Sequence, residues 1–217
     1  MIDRRNLFME LMSSIGLNPK IENYINGKLV PGLGQTITLI DPYTTEELTN
    51  YKDATAILAQ EACNGASNAQ GIWFNDYNAS SRGQLMQQVS FEINKNMENI
   101  AKLEAIISGK PVKDCRVEIS KVAEMFSYYS GWADKLHGEV IPVPSGHLNY
   151  TLREPLGVIF QITPWNAPAF TAGWQIAPAI AAGNAVVIKP SELTPTTTVA
   201  LAILGEKAGL PKGLVNV

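Results

Sequence analysis

Cysteine and histidine are scarce, with two of each in 217 residues. Cys63 and Cys115 cannot build the multi-bridge framework of a small secreted domain, so a reducing interior, the cytoplasm, is the expectation. His137 and His147 stand alone, without an acid or cysteine at a useful spacing, and no metal-ligand motif is present. Charge of one sign is also lacking. Seventeen Lys and Arg against 20 Asp and Glu leave a net charge of −3. That balance gives no electrostatic basis for binding nucleic acid or an anionic membrane. Glu10 interrupts the apolar stretch that follows Met1 to Arg5, so no signal-peptide core is expected. Pro155 to Ile188 carries no charged side chain, but Pro164, Pro168, Gly173 and Pro178 cut it into pieces too short to span a bilayer. The G-x-S-x-G and P-loop patterns are absent, and Gly32-Leu33-Gly34 lacks the third glycine of a dinucleotide fingerprint.

What is present divides into three stretches. The first reads as β-rich. Asn26-Gly27 between apolar residues marks a hairpin over 24–30, and Thr36 to Ile40 is a β-branched run stopped by Asp41-Pro42. A helix is expected from about Asp53 to Ala69. The middle is helical. Leu85, Val89, Ile93, Met97, Ile100, Leu103 and Ile107 form one stripe, ended by Gly109-Lys110-Pro111. A second helix is expected over 116–136, its stripe of Val122, Met125, Phe126 and Tyr129 reading as core packing.

The third stretch changes period. Leu148 to Arg153 alternates apolar and polar, as a half-exposed strand with one dry face does. Gly157 to Ile162 is nearly all apolar, as a strand buried on both faces should be. A helix follows from Pro168, with Gly183 past its end. Ala185 to Ile188 is another buried strand. Thr194-Pro195 then reads as N-cap and first turn of a helix stopped by Gly209, and Val215 to Val217 begins a third strand. The order β-α-β-α-β predicts an α/β fold with a doubly wound parallel sheet. Such sheets bind ligands at the carboxyl ends of their strands. The loops to inspect are therefore Thr163-Pro164-Trp165-Asn166 and Lys189-Pro190-Ser191-Glu192. Either loop alone reads as a packed turn. Together, at the two expected strand ends, they read as a cofactor site. Glu192 can accept hydrogen bonds from ribose hydroxyls and would repel a 2′-phosphate, which puts NAD ahead of NADP; Lys189 keeps NADP open. Asn166 offers a neutral amide donor able to stabilise an oxyanion.

The order and spacing of many short pieces carry a resemblance. They are Ile25-Asn26-Gly27, Asp41-Pro42, Ser108-Gly109-Lys110-Pro111, Glu154-Pro155-Leu156-Gly157, Pro164-Trp165-Asn166, Ala182-Gly183-Asn184, Lys189-Pro190-Ser191-Glu192 and Ala208-Gly209-Leu210-Pro211. From about Tyr24 to Val217 the chain closely resembles the NAD(P)-dependent aldehyde dehydrogenase superfamily. The resemblance implies a Rossmann-type parallel sheet, incomplete here, preceded by a β-hairpin and helices and a β arm for oligomerisation. It implies division into 1–138, an N-terminal part of the cofactor-binding domain; 139–154, the arm; and 155–217, the first βαβαβ portion. It makes Asn166 the oxyanion-hole amide. Ile162, Thr163, Pro164 and Trp165 become the lining of the cofactor cleft, and Lys189 and Glu192, with Ser191 between them, the grip on the adenosine ribose. Strand 148–153 becomes the arm through which subunits pair into a homo-oligomer. One position departs: Gln175 stands where the family usually has a lysine, which puts a proton relay there in doubt.

Family chemistry is covalent. A cysteine thiolate attacks the aldehyde, hydride passes to nicotinamide, and a glutamate activates water. Neither Cys63 nor Cys115 follows the Gly-Gln that marks the nucleophile. The expectation is thus the N-terminal, NAD(P)-binding portion of an aldehyde dehydrogenase, inactive alone. The alternative is a non-enzymatic nucleotide-binding or subunit-assembly module from a truncated gene.

Overall fold

The computed structural model describes residues 3–217; Met1 and Ile2, which open the basic N-terminal stretch, lie outside the described residues. The first element departs from the β-rich expectation. Helix α1 (Arg4–Ile15) is capped by the Asp3 side chain, which accepts from the Asn6 N–H, and by Gly16 in the left-handed conformation. Phe8, Leu11, Met12 and Ile15 share its buried face. Their i, i+3, i+4, i+7 spacing was the signal, masked by the polar residues around it.

The hairpin forms as expected. Strands β1 (Asn23–Ile25) and β2 (Lys28–Val30) flank Asn26 at φ 52° and Gly27 at φ 75°, the two positive values a type I′ turn requires. Strand β3 (Thr36–Ile40) pairs antiparallel with an unanticipated β4 (Glu47–Lys52). Buried Asp41, just past β3, is bound by Arg4 of α1, the Nη2 to Oδ1 contact being 3.1 Å.

Helix α2 runs Ala56–Asn75, six residues past the expected end. The single middle stripe is two helices, α3 (Ala79–Lys95) and α4 (Met97–Ser108), because Asn96 leaves helical geometry at ψ 6°. Both helices bury the same row of apolar residues, so periodicity alone does not reveal the break. Helix α5 is Val112–Ser130, ending six residues before the expected Leu136. Leu136 is 44% exposed.

Strands β5 (Val140–Ile141) and β6 (Asn149–Tyr150) pair antiparallel as a two-stranded arm. The expected strand over 148–153 shrinks to β6, and its dry face is not dry. Leu148, Tyr150 and Leu152 are all exposed, because no other described element packs against them.

The parallel sheet has the order β7-β8-β9, from β7 (Val158–Ile162), β8 (Ala185–Lys189) and β9 (Val215–Asn216). Helices α6 (Pro168–Ala181) and α7 (Thr196–Lys207) make the two crossovers, so the predicted α/β pattern stands. Strand β8 is central and buried. Strand β7 is not buried on both faces as expected. It is an edge in this chain, with Phe160 58% and Ile162 66% exposed. Adjacent side chains of β7 point to opposite faces: Gln161 Nε2 donates to the Gln175 carbonyl of α6, while Phe160 opens toward α2. The far edge is occupied. Tyr24 N and Val217 O, and Val217 N and Tyr24 O, exchange bonds of 2.8 and 2.9 Å that lay β1 beside β9.

Two contacts position α6. Trp73 of α2, fully buried, donates from Nε1 to the Ile180 carbonyl at 2.8 Å. Gly173 faces α5 so closely that a Cβ there would sit 2.6 Å from Val122 Cγ1, which only a residue without a side chain permits. No described helix is long and apolar enough to cross a membrane.

Candidate functional site

Strands β7 and β8 end side by side, and their carboxyl-end loops are tied together. Thr163 N donates to the Lys189 carbonyl at 3.1 Å, and Thr194 Oγ1 donates to the Trp165 carbonyl at 3.3 Å. Thr194 is therefore a strut between the loops rather than the expected N-cap of α7, whose N-cap is Pro195. Pro190 to Thr194 close into a turn in which Thr194 N donates to the Ser191 carbonyl at 3.1 Å and Leu193 N to Ser191 Oγ at 3.3 Å.

Below this turn lies a cleft of about 240 Å³ between β4, α2 and the open face of the sheet. Lys189, Ser191 and Glu192 stand at its polar end, and Tyr51, Val187 and Leu58 are among its walls. Lys189 Nζ lies 3.5 Å from Glu192 Oε2 on the exposed rim. The Glu192 carboxyl is held below the usual carboxylate range, first by its own backbone N–H and then by the Lys189 charge and the Ser191 hydroxyl. It is thus ionised at neutral pH and open to further donors. Glu22, Lys52 and Asp53 also line the cleft; an apolar wall with the Glu192 carboxylate beside the Lys189 ammonium suits a ligand with an apolar ring and vicinal hydroxyls.

The companion loop is more open. Pro164, Trp165 and Asn166 are exposed, and among the described residues the Asn166 side-chain amide has no hydrogen-bond partner. Thr163 is buried with an unpartnered hydroxyl. Ile162 is exposed at the end of β7. The structure thus brings Lys189, Ser191 and Glu192 to one cleft. Ile162 to Asn166 lie on the neighbouring strand end, outside that cleft. The cysteines stand apart. Burial first, and then the Glu104 carboxyl, push the Cys115 thiol up to about 11, so it carries no thiolate at neutral pH. Cys63 lies within α2. Gln175 is half-buried, with an unpartnered side-chain oxygen.

Residues 29–217 match the model of the aldehyde dehydrogenase family. The chain belongs to this family. Betaine aldehyde dehydrogenase of Bacillus subtilis is 37% identical over 198 residues, which are 89% of this chain and 40% of that protein. The mitochondrial benzaldehyde dehydrogenase of Antirrhinum majus is 39% identical over 197 residues, 89% of this chain and 37% of that protein. Among solved structures, PnpE in complex with nicotinamide adenine dinucleotide superposes with a TM-score of 0.87 at 39% identity, over 90% of this chain and 40% of that one. This chain therefore spans about 40% of the length of these aldehyde dehydrogenase relatives.

Sequence reasoning missed one residue that lines this cleft and one buried behind its loops. Tyr51 lies on β4, a strand not foreseen; its hydroxyl donates to the Glu192 carbonyl at 2.7 Å. Glu104 lies in α4 and is fully buried beneath α6 and α7. The signal for Glu104 was legible. Residues 100, 103, 104 and 107 follow the i, i+3, i+4, i+7 spacing of one helix face. Three of them are Ile100, Leu103 and Ile107, which places a carboxyl on the core side.

Proposed function

We propose that this chain is the NAD(P)-gripping part of an aldehyde dehydrogenase, with NAD ahead of NADP. The observation that carries this is the cross-tied pair of strand-end loops, with an ionised Glu192 beside Lys189 at the mouth of an apolar-walled cleft. The donor set fits the group. Glu192 accepts from the ribose hydroxyls, Lys189 donates to them or to a phosphate, and Ser191 shapes the turn that presents both. Ile162, Thr163, Pro164 and Trp165 line the route from the ribose toward the reacting end. The nicotinamide, when bound, accepts hydride from the substrate. Asn166 donates its free amide to the oxygen that gains charge when a cysteine adds to an aldehyde. That cysteine is neither Cys63 nor Cys115, so this chain alone does not oxidise aldehydes; the complete protein converts an aldehyde to a carboxylic acid through a cysteine thiohemiacetal. The PnpE complex with nicotinamide adenine dinucleotide supports this reading.

The division of labour is residues 1–138 as the N-terminal part of the cofactor domain, 139–154 as the arm, and 155–217 as the first βαβαβ portion. The exposed row Leu148, Tyr150 and Leu152 favours a homo-oligomer in which the arm adds to a partner's sheet. The same row also suits a non-enzymatic assembly module. The expected compartment is the cytoplasm.

The test is a titration of the chain with NAD and with NADP, followed by calorimetry. Glu192→Gln is expected to weaken NAD binding roughly 10- to 100-fold, as loss of a charge-assisted hydrogen bond does. Equal affinity of Glu192→Gln and the parent for NAD removes Glu192 from the ribose.

A further inference from the structure

The two helices that carry the site loops both begin without a cap of their own. Helix α6 starts at Pro168 after Ala167, which has no side-chain acceptor, and α7 starts after Pro195 with no side-chain cap bond. The first-turn N–H groups of a helix lack intrahelical acceptors and carry partial positive charge. Helix starts left so need an acceptor from elsewhere. Glu104 is placed to supply it. From α4, its fully buried carboxyl accepts from the Ala169 N–H of α6 through Oε1 at 3.4 Å. The Thr197 hydroxyl of α7 is close enough to stabilise the carboxylate, yet neither Thr197 Oγ1 nor Glu104 Oε2 completes a hydrogen bond. The neighbouring Thr196 and Thr198 hydroxyls are buried and unpartnered as well.

We propose that Glu104 is a positioning residue for the nucleotide site, capping α6 from α4 beside the Thr197 hydroxyl of α7 and so setting the spacing of the Asn166 and Lys189–Glu192 loops. Its functional consequence rests on the nucleotide reading above; its geometry does not. Asn166 lies two residues before Pro168, and Glu192 four before Thr196, so a shift at either first turn moves a loop directly. The carboxyl is also poised between its two forms. Burial pushes it up to about 7, against the pull of Thr197, Lys110 and the Ala169 N–H, with Glu118 adding to the rise. The other groups facing it are the Lys110–Glu118 ion pair and the Cys115 thiol of α5. The ionised form accepts from the Ala169 N–H and faces the Thr197 hydroxyl with an uncommitted oxygen. The protonated form gives up one acceptor position to its own proton. Nucleotide affinity should therefore rise as pH rises through neutrality.

The experiment is a pH titration of the chain by heteronuclear NMR, with NAD binding measured at each pH. In the parent, the amides of Ala169, Thr197, Asn166 and Glu192 are expected to shift with one midpoint near neutrality. That step should vanish in Glu104→Gln and persist in Glu118→Gln. Because Glu104→Gln removes a buried charge, it should melt no lower than the parent at pH 8 while binding NAD several-fold more weakly there. Loop amides that do not titrate with Ala169, or that titrate unchanged in Glu104→Gln, overturn the proposal. Should Glu104→Gln fail to fold, the parent's own titration decides: a shared midpoint supports the proposal, and its absence overturns it. Absence of NAD binding by the parent at every pH sinks the nucleotide reading alone, and the amide titration still judges Glu104.

Discussion

The Tyr51 hydroxyl donates to the Glu192 carbonyl at 2.7 Å, joining two residues 141 apart in sequence. Strand β4 thus holds the turn that presents the Glu192 carboxylate, and the outer wall of the cleft is fastened to its polar mouth. Tyr51→Phe keeps the ring in place and removes only the donor. The expected cost is about 1 kcal/mol of stability, read as a shift of the urea midpoint. NAD affinity should fall with it, because Glu192 loses its anchor. Unchanged affinity would mean that the turn holds its shape without β4.

Among the described residues the Asn166 side chain makes no hydrogen bond, so its substitution separates chemistry from stability. On the proposed function, Asn166→Ala in an aldehyde dehydrogenase containing this segment should lower turnover by on the order of 10²-fold. The melting temperature and the NAD dissociation constant should stay where they are. Steady-state kinetics with a saturating aldehyde provides the check, and an undiminished kcat takes Asn166 out of the oxyanion hole.

Asp41 predicts the acid limb of stability. Burial alone would raise its carboxyl, but the Arg4 hydrogen bonds and the backbone N–H groups of Tyr43 and Thr44 more than offset this and hold it below the usual range. A carboxyl depressed in the folded state contributes stability above its unfolded value of about 3.9, and that contribution fades as pH falls through the folded value. Asp41→Asn should therefore cost roughly 1.5–3 kcal/mol at pH 7, the range for hydrogen bonds to charged groups. The gap between variant and parent should close toward pH 2. Denaturant melts at several pH values show the trend, and a gap independent of pH would refute it.

Leu148, Tyr150 and Leu152 leave an apolar row on a two-stranded arm that no described element covers. Leu152→Asp should cut any oligomer to smaller species without lowering the far-ultraviolet helix signal. Sedimentation gives the answer directly; an assembly state that ignores the substitution places the interface elsewhere.

Much of this architecture was legible beforehand. Elements governed by local rules appear where their residues put them: the Asn26-Gly27 hairpin, the Pro168 helix start, and the three strands with α6 and α7 between them. Misplaced features depend on partners distant in sequence. Phe160 and Ile162 read as buried because apolar strands usually are, but burial belongs to whatever packs above them, and β7 has a neighbour on one side only. Asn96 breaks a stripe whose apolar spacing is the same on both sides. Thr194 looked like a cap because Thr before Pro commonly is one, yet its hydroxyl goes to the Trp165 carbonyl, a contact no local pattern announces. At the site, Lys189, Ser191 and Glu192 converge as residues of one strand end should. Tyr51 stayed hidden on an unforeseen strand, whereas Glu104 was legible from its spacing as a single carboxyl within an apolar face and was passed over.

The bridge between Tyr24 and Val217 also has a consequence for how the chain is made. Asn26 N donates to Asn216 Oδ1 across 190 positions. At about 5–20 residues per second of synthesis, the hairpin waits roughly 10–40 s on the ribosome for its sheet partner. Throughout that interval β1 is an unclaimed edge, open to any other strand that passes. Pairing of β1 with β9 thus trails the synthesis of β1 by some 190 residues, and a chaperone that shields residues 23–30 would act earlier than one that shields the parallel strands.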